Sequence, residues 1–175
     1  MFRKVIIIMA ALILTSLSGC SVDGPVSVID QDENLRLELV LPKSKYQKDE
    51  EITCKAILTY IAEGQTFEIF TGDPVVMFAI DGGEHFRGDL DLLQKGLYAQ
   101  KIEKDEPVEY PFKKYVGRHL GSDEDAVKFW KEFLAEQQLI LPPGKYEILA
   151  KVNYRLSPKD RYPTFLTVKH KIRVQ

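Results

Sequence analysis

The sequence has few of the features that mark several common classes of protein. It contains only two cysteines, Cys20 and Cys54, which excludes a framework of several disulfides. Its longest apolar run, Val5 to Leu14, has ten residues, about half of the ~20 that a membrane-spanning helix needs. Basic and acidic residues nearly balance, at 24 and 26. This balance argues against a general nucleic-acid binder, so we expect no nucleic-acid partner.

Signatures of catalysis and of metal binding are also scarce. The chain contains no G-x-S-x-G motif, and its three histidines stand in no catalytic or zinc-binding pattern. The loop from Asp81 to Asp91 groups carboxylates with His85, but its spacing fits no calcium loop. We therefore predict a protein that is not an enzyme and has no metal site or cofactor. Whether the Asp81–Asp91 loop binds a metal stays open.

The first twenty residues have the order of a secretory leader. Arg3 and Lys4 precede the apolar run, and Leu17-Ser18-Gly19-Cys20 follows it. This tetrapeptide resembles the lipobox of bacterial lipoproteins. The resemblance implies that residues 1–19 are a signal peptide and that Cys20 carries diacylglycerol after cleavage. It also implies a protein anchored through that lipid to the extracytoplasmic face of the cell membrane.

Removal of such a leader changes the net charge of the chain and the role that is predicted for Cys54. Taking 19 residues from 175 leaves 156, which suits one domain. The leader removes two basic residues, so 22 basic and 26 acidic residues remain, a formal charge of −4. Cys54 then has no partner for a disulfide, and its alternating position predicts a core cysteine rather than a nucleophile. We predict a lipidated, flexible tether over residues 20–33 and one domain over residues 34–175.

Alternation of apolar and polar residues marks much of this domain as β-strand. Leu35 to Leu41 shows the pattern, and Tyr146 to Tyr154 and Leu166 to Val174 repeat it near the C-terminus. Val75 to Ile80 is apolar on both faces, which predicts a cover on each side. The whole pattern predicts a mainly β fold, an antiparallel sandwich of six or seven strands.

One amphipathic helix interrupts the strands, over about residues 122–139. Ser122 suits the N-cap, and Phe129, Trp130 and Phe133 fall on one stripe. We expect this stripe to cover the second apolar face of Val75 to Ile80.

The segment Leu141-Pro142-Pro143-Gly144-Lys145-Tyr146, followed by two alternating strands, resembles the closing strands of immunoglobulin-like and fibronectin-like domains. The resemblance implies an immunoglobulin-like sandwich in which the Tyr146 hydroxyl bonds back across the corner. Two family features differ, since Ile148 stands where the second cysteine of the inter-sheet disulfide would lie, and Trp130 lies on the helix.

The layout is also similar to that of the small β-sandwich family of an intracellular Bacillus proteinase inhibitor. That similarity leaves an extracytoplasmic proteinase inhibitor as the alternative function, with no inhibitory residue assigned. The favoured function is a membrane-anchored, non-enzymatic binding or accessory module of unknown ligand. Assays against a panel of proteases would separate the two.

A basic surface is the remaining candidate site. If the apolar residues of the last two strands point inward, five cations point outward on neighbouring strands. This face predicts contact with anionic lipid headgroups or with anionic envelope polymers; the alternative is a solvated face that protects an edge strand. The partner expected for the binding module as a whole is a protein or such a polymer. The five cations are Lys151, Arg155, Lys169, Lys171 and Arg173.

Overall fold

The described residues form ten strands and one helix in a computed structural model, which describes residues 24–86, 94–114 and 124–175. The strands are β1 Val26–Gln31, β2 Leu35–Leu41, β3 Lys45–Tyr46, β4 Lys55–Tyr60, β5 Thr66–Asp73, β6 Val76–Gly82, β7 Lys95–Glu103, β8 Val108–Pro111, β9 Gly144–Tyr154 and β10 Thr164–Val174. The helix α1, Glu124–Ala135, lies between β8 and β9. The prediction of a mainly β protein with one inserted helix is confirmed.

Two four-stranded sheets form the sandwich, in the orders β1-β2-β4-β8 and β3-β10-β9-β6, and β5 pairs with β7 beside them. The last two strands share a sheet with β6, while β2, β4 and β8 lie in the other, as in immunoglobulin-like domains. One pair departs from the expected antiparallel pattern, because β3 runs parallel to β10 over two residues.

The core lies between the two sheets and is built from alternating residues. All four leucines of β2 are fully buried, and they face a buried set on β9 and β10 that includes Ile148 and Val152. Burial of such side chains stabilises the fold by about 1.5 to 3 kcal/mol each. The period-two pattern therefore decides which face of each strand points inward.

The first strand corrects the expected tether. Val26–Gln31 pairs with β2 over six residues, from Val26 opposite Leu41 to Gln31 opposite Arg36. Val28 packs against the core, and the Asp30 carboxylate accepts a hydrogen bond from the backbone N–H of Thr167 at 2.8 Å. The prediction of a flexible tether over residues 20–33 is therefore wrong for Val26–Gln31. The sequence pattern did not indicate this strand, because the alternation around Val28 is short and lies among polar residues.

The helix is shorter than predicted and packs elsewhere. It ends at Ala135, and Leu139 instead enters the core, where its carbonyl accepts a bond from the Ile52 N–H at 2.8 Å. The predicted cap at Ser122 lies outside the described residues. No helix in the described ranges is long and apolar enough to cross a membrane.

The aromatic stripe of the helix surrounds Phe86. The ring centroids of Phe129, Trp130 and Phe133 lie 5.6, 5.2 and 5.1 Å from that of Phe86. Met77 and Ala79, on the other face of β6, are buried but lie outside the core cluster against which the helix packs. The prediction that the helix covers this second face is therefore wrong, because the aromatic rings of the helix pack against Phe86 on the core side.

The corner before β9 matches the expectation from the immunoglobulin-like resemblance. The Tyr146 hydroxyl donates to the Pro142 carbonyl at 2.8 Å, and burial raises the pKa of this phenol. Gly82 lies against the same corner with φ +111°, and a Cβ there would lie 2.4 Å from the Lys145 carbonyl oxygen. The corner therefore needs both the hydroxyl and a glycine.

We predict that Tyr146→Phe lowers the free energy of unfolding by about 1 kcal/mol, since it removes one hydrogen bond and leaves a carbonyl without its partner. Gly82→Ala should cost about 2 kcal/mol or more, because it adds both strain and a clash. Tyr162→Phe is the control, since Tyr162 is 74% exposed. Urea denaturation measures all three, and equal midpoints for Tyr146→Phe and Tyr162→Phe would contradict the role of the corner.

Candidate functional site

The five cations of the predicted basic face are spread along β9 and β10, from Arg155 just beyond one end to Arg173 near the other, and their surroundings differ. Lys169 pairs with Glu147 at 3.3 Å, and the Lys151 ammonium lies over the ring of Phe165, 4.5 Å from its centroid. Arg155 follows the last residue of β9, where its backbone pairs with that of Phe70. The remaining two, Lys171 and Arg173, lie near the opposite end of the sheet.

Lys171 and Arg173 meet two further cations there. Arg173 stands opposite Lys145 on β9 and opposite Lys45 on β3, so three cations form one row across neighbouring strands. Opposite residues point to the same face of a sheet, and strands are about 4.8 Å apart. The end of the sandwich formed by Lys45, Lys145, Lys171 and Arg173 is the basic end.

The sequence-based prediction did not include two members of the basic end, Lys45 and Lys145. Lys145 continues the alternation of β9 by one residue, so a strand drawn one residue longer would have included it. Lys45 gave no such signal, because it lies in a polar connection whose parallel pairing with β10 is a tertiary contact.

A groove of about 660 Å³ opens at the basic end. Its lining contains these four cations but also two carboxylates, Asp81 and Glu147. Asp81 and Glu147 stand opposite each other on β6 and β9, so the groove combines four positive with two negative side chains. The local excess of positive charge contrasts with the net negative charge of the chain, −2.

The opposite end of the sandwich exposes apolar and aromatic side chains. Tyr162 is 74% exposed and Tyr98 60%. A cavity of about 300 Å³, lined partly by Leu97, Arg155 and Pro163, lies among them. We call this surface the aromatic end; its members are Leu97, Tyr98, Leu156, Tyr162 and Phe165.

The two ends are separated by the length of β9. This strand runs from Gly144, beside Lys145, to Tyr154, beside Arg155. Ten residue steps along a β-strand span about 33 Å. The basic and aromatic ends therefore lie too far apart to form one small-molecule site.

Two side chains of nucleophilic type, Cys54 and Ser44, lie in different surroundings. Cys54 is buried, as expected, and burial raises the pKa of its thiol to about 12, so the thiol stays protonated at neutral pH. The structure also pairs Ser44 with His170, whose atoms Oγ and Nε2 are 2.9 Å apart. A serine and a histidine are two members of a catalytic triad, yet among the described residues no hydrogen bond or ion pair joins His170 to a carboxylate.

The loop from Asp81 to Asp91 is only partly described, since residues 87–93 fall outside the described ranges. Across the described residues, no group of three or more histidine, cysteine, aspartate or glutamate side chains is placed to hold a metal ion. The His85 ring instead stacks on Phe129, with centroids 4.1 Å apart. In the described part of the loop, His85 therefore contributes to the packing of the helix.

We predict that the burial of His170 makes stability depend on pH. Burial lowers the pKa of His170 below its usual value of 6.5, so the unfolded chain binds the proton more tightly than the folded one. The contribution is full above about pH 6.5 and is lost as the pH falls from there through the lowered pKa of the folded state.

Melting temperatures of the wild type and of His170→Gln, compared at about pH 7.5 and about pH 5.5, measure this effect. The wild type should lose a few degrees more than the variant on acidification. Equal losses in both proteins would contradict the assignment.

Comparison with known proteins gives no family for this chain. A scan against protein-family models finds no match, and a search of curated proteins finds none. The function is therefore inferred from the sequence of the first twenty residues and from the chemistry of the two ends of the sandwich.

Proposed function

We propose that this protein is a lipoprotein, held through Cys20 to the extracytoplasmic face of a bacterial membrane, whose sandwich binds a partner protein without catalysing a reaction. The observation that carries the proposal is the placement of β1. Its first residue, Val26, follows the lipobox by six residues and stands opposite Leu41, at the basic end. An anchor at Cys20 would therefore leave the aromatic end facing away from the membrane.

The aromatic end has the composition of a protein-binding surface. Tyrosine, phenylalanine and arginine are enriched at the centres of protein interfaces, and they supply most of the binding energy there. Two of the rings are accompanied by cations, since Arg161 lies over Tyr162 at 5.3 Å and Lys151 over Phe165. Such contacts favour one orientation of each ring before binding, which reduces the entropic cost of association.

The state of the nucleophiles supports a function without catalysis. Cys54 is protonated and buried in the core. Within the described ranges, the Ser44 and His170 pair lacks the acidic group that would orient the histidine as a general base. The cysteine and the pair both serve the packing of the sandwich.

We predict that Cys20→Ser abolishes lipid attachment, because serine has no thiol to form the thioether. In cells labelled with a radioactive fatty acid, the wild-type protein should carry the label and float with membranes, whereas the variant should do neither. Cys54→Ser is the matched control and should keep both. Labelled Cys20→Ser protein would exclude the anchor.

The partner surface is tested by photo-crosslinking in cells. Benzoylphenylalanine replacing Tyr162 should give a discrete crosslinked product, since this ring is proposed to contact the partner. The same group replacing Ile29, which is 51% exposed on β1, is the matched control and should give no such product. Adding Phe165→Asp should weaken the product about tenfold, the loss expected from one central aromatic contact.

Identical products at positions 29 and 162, or no product at position 162, would contradict a partner surface at the aromatic end. The second comparison, with and without Phe165→Asp, shows whether the crosslink depends on the surface or only on exposure.

A further inference from the structure

We propose that the basic end rests on the membrane itself and contacts the headgroups of anionic lipids. This inference rests on the proposed anchor at Cys20. It assigns the groove lined by Lys45, Lys145, Lys171 and Arg173 to a lipid surface, which fixes the orientation of the whole domain.

The path of the chain is the first argument. Six residue steps separate Cys20 from Val26, and six steps of fully extended chain span at most about 20 Å. Val26 stands opposite Leu41, and three residues further on, the Ser44 carbonyl accepts a bond from the Arg173 N–H at 2.9 Å. A lipid on Cys20 therefore holds the basic end, and no other end of the sandwich, close to the bilayer.

The distribution of charge is the second argument. The groove holds two more cations than carboxylates, whereas the chain after the leader is net negative, with 22 basic and 26 acidic residues. Salt screens charges beyond about 8 Å at physiological ionic strength, so only the end nearest the bilayer senses the lipid charge strongly. An anionic surface therefore attracts the basic end and repels the acidic remainder.

The chemistry of the side chains suits phosphate headgroups. The Arg173 guanidinium can donate two parallel hydrogen bonds to one phosphate, and lysine ammonium groups on flexible stems adapt to neighbouring ones. Glu147 lies next to this row but is paired with Lys169 at 3.3 Å. That pair reduces the repulsion between its carboxylate and a phosphate.

The anchor explains why a modest basic surface suffices. Two extra cations would bind a polymer in solution only weakly, since each basic residue contributes little by itself. A tether of fixed length keeps the surface at high effective concentration beside the headgroups, so weak contacts are occupied for much of the time. The lipid surface is thus favoured over an anionic polymer further out.

The test uses the lipidated full-length mature protein in vesicles of phosphatidylcholine, with or without phosphatidylglycerol. Lysines are acetylated at low extent by a water-soluble reagent, and the rate at each lysine is read by mass spectrometry. In anionic vesicles, Lys45, Lys145 and Lys171 should react about fivefold more slowly than in neutral ones. Protection should disappear at ~1 M salt. Lys101 and Lys159, both exposed and away from the basic end, are the internal controls.

A double variant, Lys145→Gln with Arg173→Gln, should abolish the protection of Lys45 and Lys171. The matched control, Lys159→Gln with Arg161→Gln, removes the same charge elsewhere and should preserve it. Melting temperatures of both variants show whether they are folded. Lysine rates that do not depend on phosphatidylglycerol would overturn the proposal.

Two further outcomes show whether the anchor or the lipid assignment is wrong. If the protein does not float even with neutral vesicles, the anchor fails, and with it both the proposed function and this inference. If it floats and a soluble poly(glycerol phosphate), but not phosphatidylglycerol, protects the lysines, the basic end binds an envelope polymer and the lipid assignment is overturned while the anchor stands.

Discussion

The pairing of β9 with β10 is the constraint on which the rest of the structure depends. The two strands pair without interruption over eleven residues, from Gly144 opposite Val174 to Tyr154 opposite Thr164. Their inward side chains form one wall of the core, and their outward side chains carry most of the basic end. The turn between them carries Tyr162. A shift of one residue in this register would move every side chain to the wrong face, so core and surface are fixed together.

The two ends of this strand pair differ in chemistry as well as in position. At one end, β3 adds Lys45 to the row formed by Arg173 and Lys145. At the other, Arg155 pairs through its backbone with Phe70 and brings β5 and β7 close to the turn. A domain with a charged end and an aromatic end about 33 Å apart can contact two different surfaces at once. The proposed anchor and lipid contact lie at the charged end of the domain, and the proposed partner surface lies at the aromatic end.

Local pattern was sufficient where burial follows the backbone repeat. The alternation of Leu35 to Leu41 predicted the inward face of β2. The resemblance to immunoglobulin-like domains implied that the Tyr146 hydroxyl, near the start of β9, bonds back across the corner, and it donates to the Pro142 carbonyl there. The local sequence pattern failed for β1. A six-residue edge strand with one core contact, at Val28, has too little apolar content for its sequence to differ from that of a linker. The pattern also failed for the end of α1, since Leu139 leaves the helical stripe to fill the core.

By itself, the sequence determined that the chain is mainly β, which face of strands such as β2 and β9 points into the core and roughly where α1 lies, because side-chain periodicity reports burial directly. Only the tertiary structure decided which surfaces exist. Lys45 joins Arg173 across 128 positions of sequence, and Ser44 meets His170 across 126. It also placed Val26 at the basic end, through its pairing with Leu41. Such contacts depend on strand order and register, which are set by the packing of the whole core rather than by any local run of residues.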